Sequence, residues 1–145
     1  MEMDIQELQN KIRQAEVQQE KLNREIQETR HKLEIYKQDW KKIEREKERQ
    51  YNLRKNRARQ IDLIRNRVSG KMLSSIIAYY DYMYGEEKWM EIRKEFDEIL
   101  DTIDQNLRAA YDYIEELEAQ IKELKIQINE WKDEIMQLQE TQGED

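Results

Sequence analysis

The stretch "SGKMLSSIIAYYDYMYGEEKW", residues 69–89, lies between two long charged segments and decides how they can pair. It holds two of the three glycines and five of the twelve aromatic residues. Glycine directly after a helix commonly caps its C-terminus, and serine favours the position before a new helix. We therefore predict a turn at Ser69 and Gly70. Gly85 predicts either a kink in a long second helix or the end of a short connecting helix.

The composition of the chain is that of long helices. Its 145 residues include no proline, 41% of them are charged, and the mean hydropathy is -1.18. Such a composition is typical of extended helical proteins, and the length suits one domain. We predict a single all-α domain over residues 1–145. Its first arm covers 3–68, a turn and aromatic-rich segment covers 69–89, and its second arm covers 90–141.

The first arm carries a heptad repeat, in which apolar residues recur at alternating spacings of three and four. The predicted seam consists of Ile5, Leu8, Ile12, Ala15, Gln19, Leu22, Ile26, Thr29, Leu33, Tyr36, Trp40 and Ile43. The next four positions in this register are polar: Lys47, Gln50, Arg54 and Arg57. Ile61, Ile64 and Val68 then restore the apolar seam.

The second arm repeats the pattern without a polar interruption. Its predicted seam consists of Leu107, Ala110, Ile114, Leu117, Ile121, Leu124, Ile128, Trp131, Ile135 and Leu138. Upstream, the seam continues through Phe96, Ile99 and Ile103 to Leu107. The two consecutive spacings of four, at 99–103 and 103–107, indicate a stutter in the coiled coil.

Charge favours pairing of the two arms within one chain. Residues 1–68 hold eighteen basic and thirteen acidic residues, whereas 69–145 hold eight and twenty. The contrast is sharpest between 41–67, with eleven basic and four acidic residues, and 81–104, with three and nine. Complementary charge selects partner and orientation in coiled coils. We therefore predict a long antiparallel helical hairpin.

The tyrosine-rich stretch has more aromatic surface than a two-helix seam can bury. Ile76, Tyr80 and Met83, with Trp89 as a further candidate, can face the first arm. This leaves Tyr79, Tyr82 and Tyr84 on other faces. Tyrosine, tryptophan and methionine are enriched in binding interfaces. A locally broadened core is the alternative interpretation. The predicted partner-binding residues are Tyr80, Met83, Tyr84, Trp89 and Phe96.

The basic segment 41–67 resembles a nucleic-acid patch in composition. Its glutamates lie within helical reach of its lysines and arginines, and the hairpin brings an acidic arm opposite it. We therefore expect a solvated, charge-paired helix face and no nucleic-acid partner.

No catalytic motif occurs in the sequence. His31 is the single histidine and there is no cysteine, so the common zinc ligand sets are incomplete. Neither a phosphate-binding glycine loop nor a nucleophile elbow is present. We expect no enzyme activity, no metal and no cofactor. We also expect no membrane insertion and a cytoplasmic location, with export that needs no Sec-type signal peptide as the alternative.

A resemblance to a known family rests on "NRVSGKMLSSIIAYY", residues 66–80, and "FDEILDTIDQNLRAAYDYIEELEAQI", residues 96–121. With these segments, residues 60–128 resemble the small helical partner proteins of LXG toxins in the Gram-positive type VII secretion system, relatives of the WXG-type ESX proteins. The Trp-x-Gly position of that family falls at 68–70, where valine stands in place of tryptophan.

The resemblance implies a targeting factor that binds the helical N-terminal domain of a secreted toxin or another ESX-like protein. It also implies an export motif of the Tyr-x-x-x-Asp/Glu type, which Tyr111 and Glu115 match. Two alternatives stay open. One is a stalk of an export apparatus similar to the FliJ/YscO proteins, and the other is a homo-oligomeric structural coiled coil.

Overall fold

The computed structural model describes residues 4–67 and 70–143, apart from the side chain of Met72. It contains three α-helices, which are α1 (Ile5–Arg67), α2 (Lys71–Tyr84) and α3 (Glu86–Gly143). The described residues include no β-strand. The second arm is bent between α2 and α3, and α3 packs against α1. The predicted all-α helical hairpin, with its turn near residues 69–70, is therefore confirmed.

Local hydrogen bonds mark the start of α1 and the start of α2. The Asp4 carboxylate accepts a hydrogen bond of 2.8 Å from the backbone N–H of Glu7, which caps the first turn of α1. At the other end, Gly70 has a φ of 148°, a conformation that favours glycine. Its carbonyl accepts the first backbone bond of α2, from Ser74. Gly70 is therefore the residue directly before α2. Ser69 and Val68 lie outside the described residues.

Gly85 separates α2 from α3, so the second of its two predicted roles, the end of a short connecting helix, is the observed one. Its φ and ψ are -73° and 172°, and the extended ψ interrupts the helix. Its carbonyl accepts a bond of 3.1 Å from the Trp89 N–H in the first turn of α3. A Cβ atom at residue 85 would lie 2.1 Å from the carbonyl oxygen of Asp81. This close approach requires glycine at the junction.

Two compact units divide the chain, and the first is a two-helix coiled coil. It consists of α1 up to Glu34 and α3 from Arg108 onward. All predicted seam positions within it are buried or half-buried, which confirms the heptad assignment. Its buried residues are Leu8, Ala15, Leu22, Ile26, Thr29, Leu33, Ile114, Leu117, Ile121 and Ile128.

The helices of the first unit run antiparallel. Lys11 Nζ lies 5.8 Å from the ring centroid of Trp131, and Arg30 forms an ion pair of 3.4 Å with Glu118. Residue numbers therefore fall along α3 as they rise along α1. Because Arg30 and Glu118 are half exposed, their ion pair contributes little to stability, and the apolar seam holds this unit together.

Gln19 is a seam position of the first unit at which a polar side chain is unsatisfied. Its side-chain Nε2 is buried, and it has no hydrogen-bond partner among the described residues. The buried Thr29, by contrast, donates its hydroxyl to the Glu25 carbonyl at 2.8 Å. An unsatisfied buried amide destabilises the fold. The seam positions on either side of Gln19, which are Ala15 and Leu22, are apolar.

Replacing Gln19 with leucine should raise the free energy of unfolding by about 1–2 kcal/mol, since it removes the unpaired amide and adds apolar burial. Urea denaturation followed by circular dichroism measures the change. The matched control is Gln18→Leu at the exposed neighbouring position, which should change stability by less than about 0.5 kcal/mol. A less stable Gln19→Leu protein would contradict this account of the seam.

The second unit, Ile35–Leu107, is more open than the first. It contains the rest of α1, all of α2 and the beginning of α3. Only Ile61 and Leu100 are buried among its described side chains. Lys47 pairs with Asp97 at 2.7 Å, and Arg65 pairs with Asp81, so α1 is antiparallel to both other helices here as well.

Two seam predictions in the second unit are wrong. Ile99 is exposed, and the next residue, Leu100, takes the buried position instead. Ile64 is also exposed, although the heptad register assigns it to the seam. The α3 positions 92, 96, 100, 103 and 107 are buried or half-buried, as are 88, 89, 97 and 104. The two consecutive spacings of four therefore fall at 92–96–100 and not at 99–103–107.

Candidate functional site

An apolar groove lies between α1 and α2 in the second unit. It has a cavity volume of about 230 Å³. Its apolar lining consists of Ile61, Ile64, Leu73, Ile76, Ile77 and Tyr80, and its polar lining consists of Arg57 and Gln60. Ile64, Ile76 and Tyr80 keep much of their surface exposed. The groove is therefore an accessible apolar surface, which in a folded protein commonly marks a binding region.

An aromatic strip continues from the groove along α2. The rings of Tyr80 and Tyr84 stack with centroids 5.9 Å apart, and the edge of Tyr79 meets Tyr80 at 6.1 Å. The strip ends at Arg54, whose guanidinium carbon lies 5.7 Å from the Tyr84 ring centroid. Arg54 also donates a hydrogen bond of 2.6 Å to the carbonyl of Met83. These contacts fix the strip against α1.

The five predicted partner-binding residues differ in their accessibility. Tyr80 is 41% exposed and lines the groove, whereas Met83, Tyr84, Trp89 and Phe96 are half-buried. Trp89 packs against Tyr51 with ring centroids 5.5 Å apart. The structure thus brings Tyr80, Met83 and Tyr84 together on α2 and leaves Phe96 further along α3.

The prediction that Tyr84 faces away from the first arm is wrong, because its ring contacts Arg54 of α1. Ile76 and Tyr80 were assigned to the face toward the first arm, and both line the groove beside α1 while staying largely accessible. Residue 84 follows residue 80 by four positions, so both lie on one helical face.

The α1 segment beside the groove is rich in basic residues, of which Arg57 lines the groove. Residues 54–67 include six basic residues and one acidic residue, whereas α2 carries only Lys71 and Asp81. Arg65 is paired with Asp81. In the described part of the chain, Arg57, Arg59 and Lys71 form no ion pair with a carboxylate. The expected charge pairing of segment 41–67 is therefore incomplete at this end.

The matched export motif lies in the first unit. Tyr111 and Glu115 are one turn apart on α3, and both are exposed. The nearby Tyr113 hydroxyl donates a hydrogen bond of 2.9 Å to the Glu25 carboxylate, and this bond raises the pKa of Tyr113. Tyr113 is thereby fixed to α1.

The described residues show neither a metal site nor a membrane span. No group of three or more histidine or carboxylate side chains in residues 4–67 and 70–143 is arranged to hold a metal ion. Within the same residues, none of the helices has a stretch long and apolar enough to cross a membrane.

Comparison of this chain with family models, with characterised proteins and with solved structures finds no match.

Sequence reasoning missed the groove because it assigned Ile61 and Ile64 to a closed seam. The available signal was the length of the apolar run in α2, where Leu73, Ile76 and Ile77 precede the tyrosines. With Tyr80 these residues recur at spacings of three and four, so they form one apolar stripe along α2.

Proposed function

We propose that this chain is a non-enzymatic binding protein whose second unit accepts an amphipathic helix of another protein. The observation that carries the proposal is the groove between α1 and α2, where Ile64, Ile76 and Tyr80 are accessible. Helix-in-groove recognition uses such a surface, because the partner buries apolar residues at helical spacing.

In this proposal the second unit binds the partner, and the first unit has a structural role. Its apolar seam is closed by the packing of α1 against α3, and the cavity beside Arg30 and Glu118 is lined mostly by polar and charged side chains. A closed coiled coil provides rigidity, which reduces the ordering cost of binding at a neighbouring surface on the same helices.

The partner that the family resemblance suggests is the N-terminal helical domain of an LXG toxin. Under this proposal the protein acts as a targeting factor for type VII export, and the toxin helix binds through helix packing. Tyr111 and Glu115 would then contribute an export signal on α3, since both side chains are exposed. Tyr80 is the anchor that we expect to matter most, because it is both aromatic and accessible.

Replacing Tyr80 with alanine should weaken binding to the LXG toxin domain of the same host about tenfold, as expected for an aromatic hot spot. Isothermal titration calorimetry measures the affinity, and circular dichroism verifies the fold. The matched control is Tyr82→Ala on the same helix, because Tyr82 is 70% exposed and does not line the groove. Its affinity should match that of the unsubstituted protein.

Three results would contradict the proposal. Equal affinities of the Tyr80→Ala and Tyr82→Ala variants would exclude the groove as the interface. Failure to bind the toxin domain, together with binding to an export ATPase, would favour the stalk. Self-association without a heterologous complex would favour a structural coiled coil.

A further inference from the structure

We infer that the groove selects an acidic amphipathic helix that contributes about two turns to the contact. This inference rests on the proposed helix-binding function and adds the chemistry of the partner. The partner would place one apolar stripe on Ile64, Ile76 and Tyr80, and would carry aspartate or glutamate residues beside that stripe.

The length follows from the α2 residues that line the groove, which run from Leu73 to Tyr80. These eight residues extend about 12 Å at 1.5 Å per residue. About two turns of a partner helix cover the same distance. Apolar residues at spacings of three and four along those turns can contact both walls, since Leu73, Ile76 and Tyr80 follow the same spacing on α2.

The acidic character follows from the other wall. Residues 54–67 of α1 carry six basic residues against one acidic residue, and Arg57 itself lines the groove. Arg57 has no carboxylate partner among the described residues; its hydrogen bond goes to Gln60 at 3.4 Å. Carboxylates on a bound helix would pair with Arg57, and their attraction to the basic segment would accelerate association.

The apolar lining favours a helix over a nucleic acid. Six of the eight lining residues are aliphatic or aromatic, and Arg57 is the cation among them. Phosphate binding requires several cations directed at one backbone, and here the floor of the groove is made of isoleucine and leucine side chains. A second copy of this chain is a poor occupant, because the acidic helix α3 has its main apolar seam buried in the first unit.

Three synthetic 15-residue helical peptides test the inference. They share one apolar stripe and differ only in flanking residues, which are glutamate, lysine or glutamine. Fluorescence anisotropy should give the glutamate peptide an affinity at least about tenfold higher than the lysine peptide, and this ratio should fall with added salt.

Arg57→Glu should lower the affinity for the glutamate peptide about fivefold and raise that for the lysine peptide. The matched control is Arg13→Glu, which makes the same charge change at an exposed position in the first unit and should alter neither. If Arg57→Glu is poorly folded, Arg57→Gln serves, with a smaller loss expected.

The possible outcomes separate the two proposals. Equal binding of the three peptides, abolished by Tyr80→Ala, would overturn the acidic preference and leave helix binding intact. No binding of any peptide would overturn this inference, while the toxin titration tests the proposed function separately. Binding of a fluorescent DNA oligonucleotide that Arg57→Glu abolishes, without peptide binding, would assign the surface to nucleic acid instead.

Discussion

Replacing Gly85 with alanine should destabilise the second unit by about 1–3 kcal/mol, the usual penalty for forcing extra atoms into a packed position. The new Cβ would lie 2.1 Å from the carbonyl oxygen of Asp81, which is much closer than van der Waals contact. The φ of -73° is available to any residue, so the conflict is steric. Urea denaturation followed by tryptophan fluorescence measures the loss.

The same substitution should also alter the groove. Alanine favours a continuous helix by roughly 1 kcal/mol relative to glycine, so relief of the contact favours joining α2 directly to α3. That change would move Tyr80 relative to α1, and binding of the glutamate peptide should weaken along with stability.

Gly143→Ala is the matched control, because no heavy atom lies within 4 Å of the position where its Cβ would be. It should leave the free energy of unfolding unchanged within about 0.5 kcal/mol. An equally stable Gly85→Ala protein would mean that the junction relaxes without consequence, and that glycine is not required there.

The sequence predicts the first unit almost completely. Two helices that pack as a simple coiled coil must bury every third and fourth residue, so the list of apolar spacings also identifies the buried residues. Even the polar seam positions Gln19 and Thr29 follow this rule. The pattern predicts which residues are buried, but it does not predict whether their polar groups have hydrogen-bond partners. That Gln19 Nε2 has no partner among the described residues is seen only in the structure.

The second unit is less predictable because three helices contribute to it. With α2 beside α1, the residues that face a neighbour no longer follow one heptad, and a shift of one residue exchanges Ile99 for Leu100. The polar positions Lys47, Gln50 and Arg54 stay half-buried, since long side chains can reach charged or carbonyl partners from the seam.

Charge composition predicts the pairing of the arms better than individual contacts. The asymmetry between 41–67 and 81–104 anticipates the antiparallel arrangement in which Lys47 meets Asp97 and Arg65 meets Asp81. It does not indicate which cations stay unpaired. Arg57 has no carboxylate partner among the described residues because most of its neighbours in the groove are apolar. Those neighbours depend on where α2 packs, and a count of charges does not predict that position.

Replacing Leu117 with alanine should lower the free energy of unfolding by about 2–5 kcal/mol. Leu117 is 3% exposed, and it lies in the closed seam of the first unit, so alanine would leave a cavity between α1 and α3. Denaturant unfolding monitored by circular dichroism measures the loss. The matched control is Ile126→Ala on the same helix, where the side chain is 47% exposed and a loss below about 1 kcal/mol is expected.

The comparison of Leu117→Ala with Ile126→Ala tests the division of the molecule into a closed and an open unit. A large difference between them means that the first-unit seam is satisfied within the chain, so a partner must bind elsewhere, as the groove proposal requires. Equal and small losses would mean that the α1 and α3 seam opens readily. The seam would then be the better candidate for partner binding, because its apolar surface exceeds that of the groove.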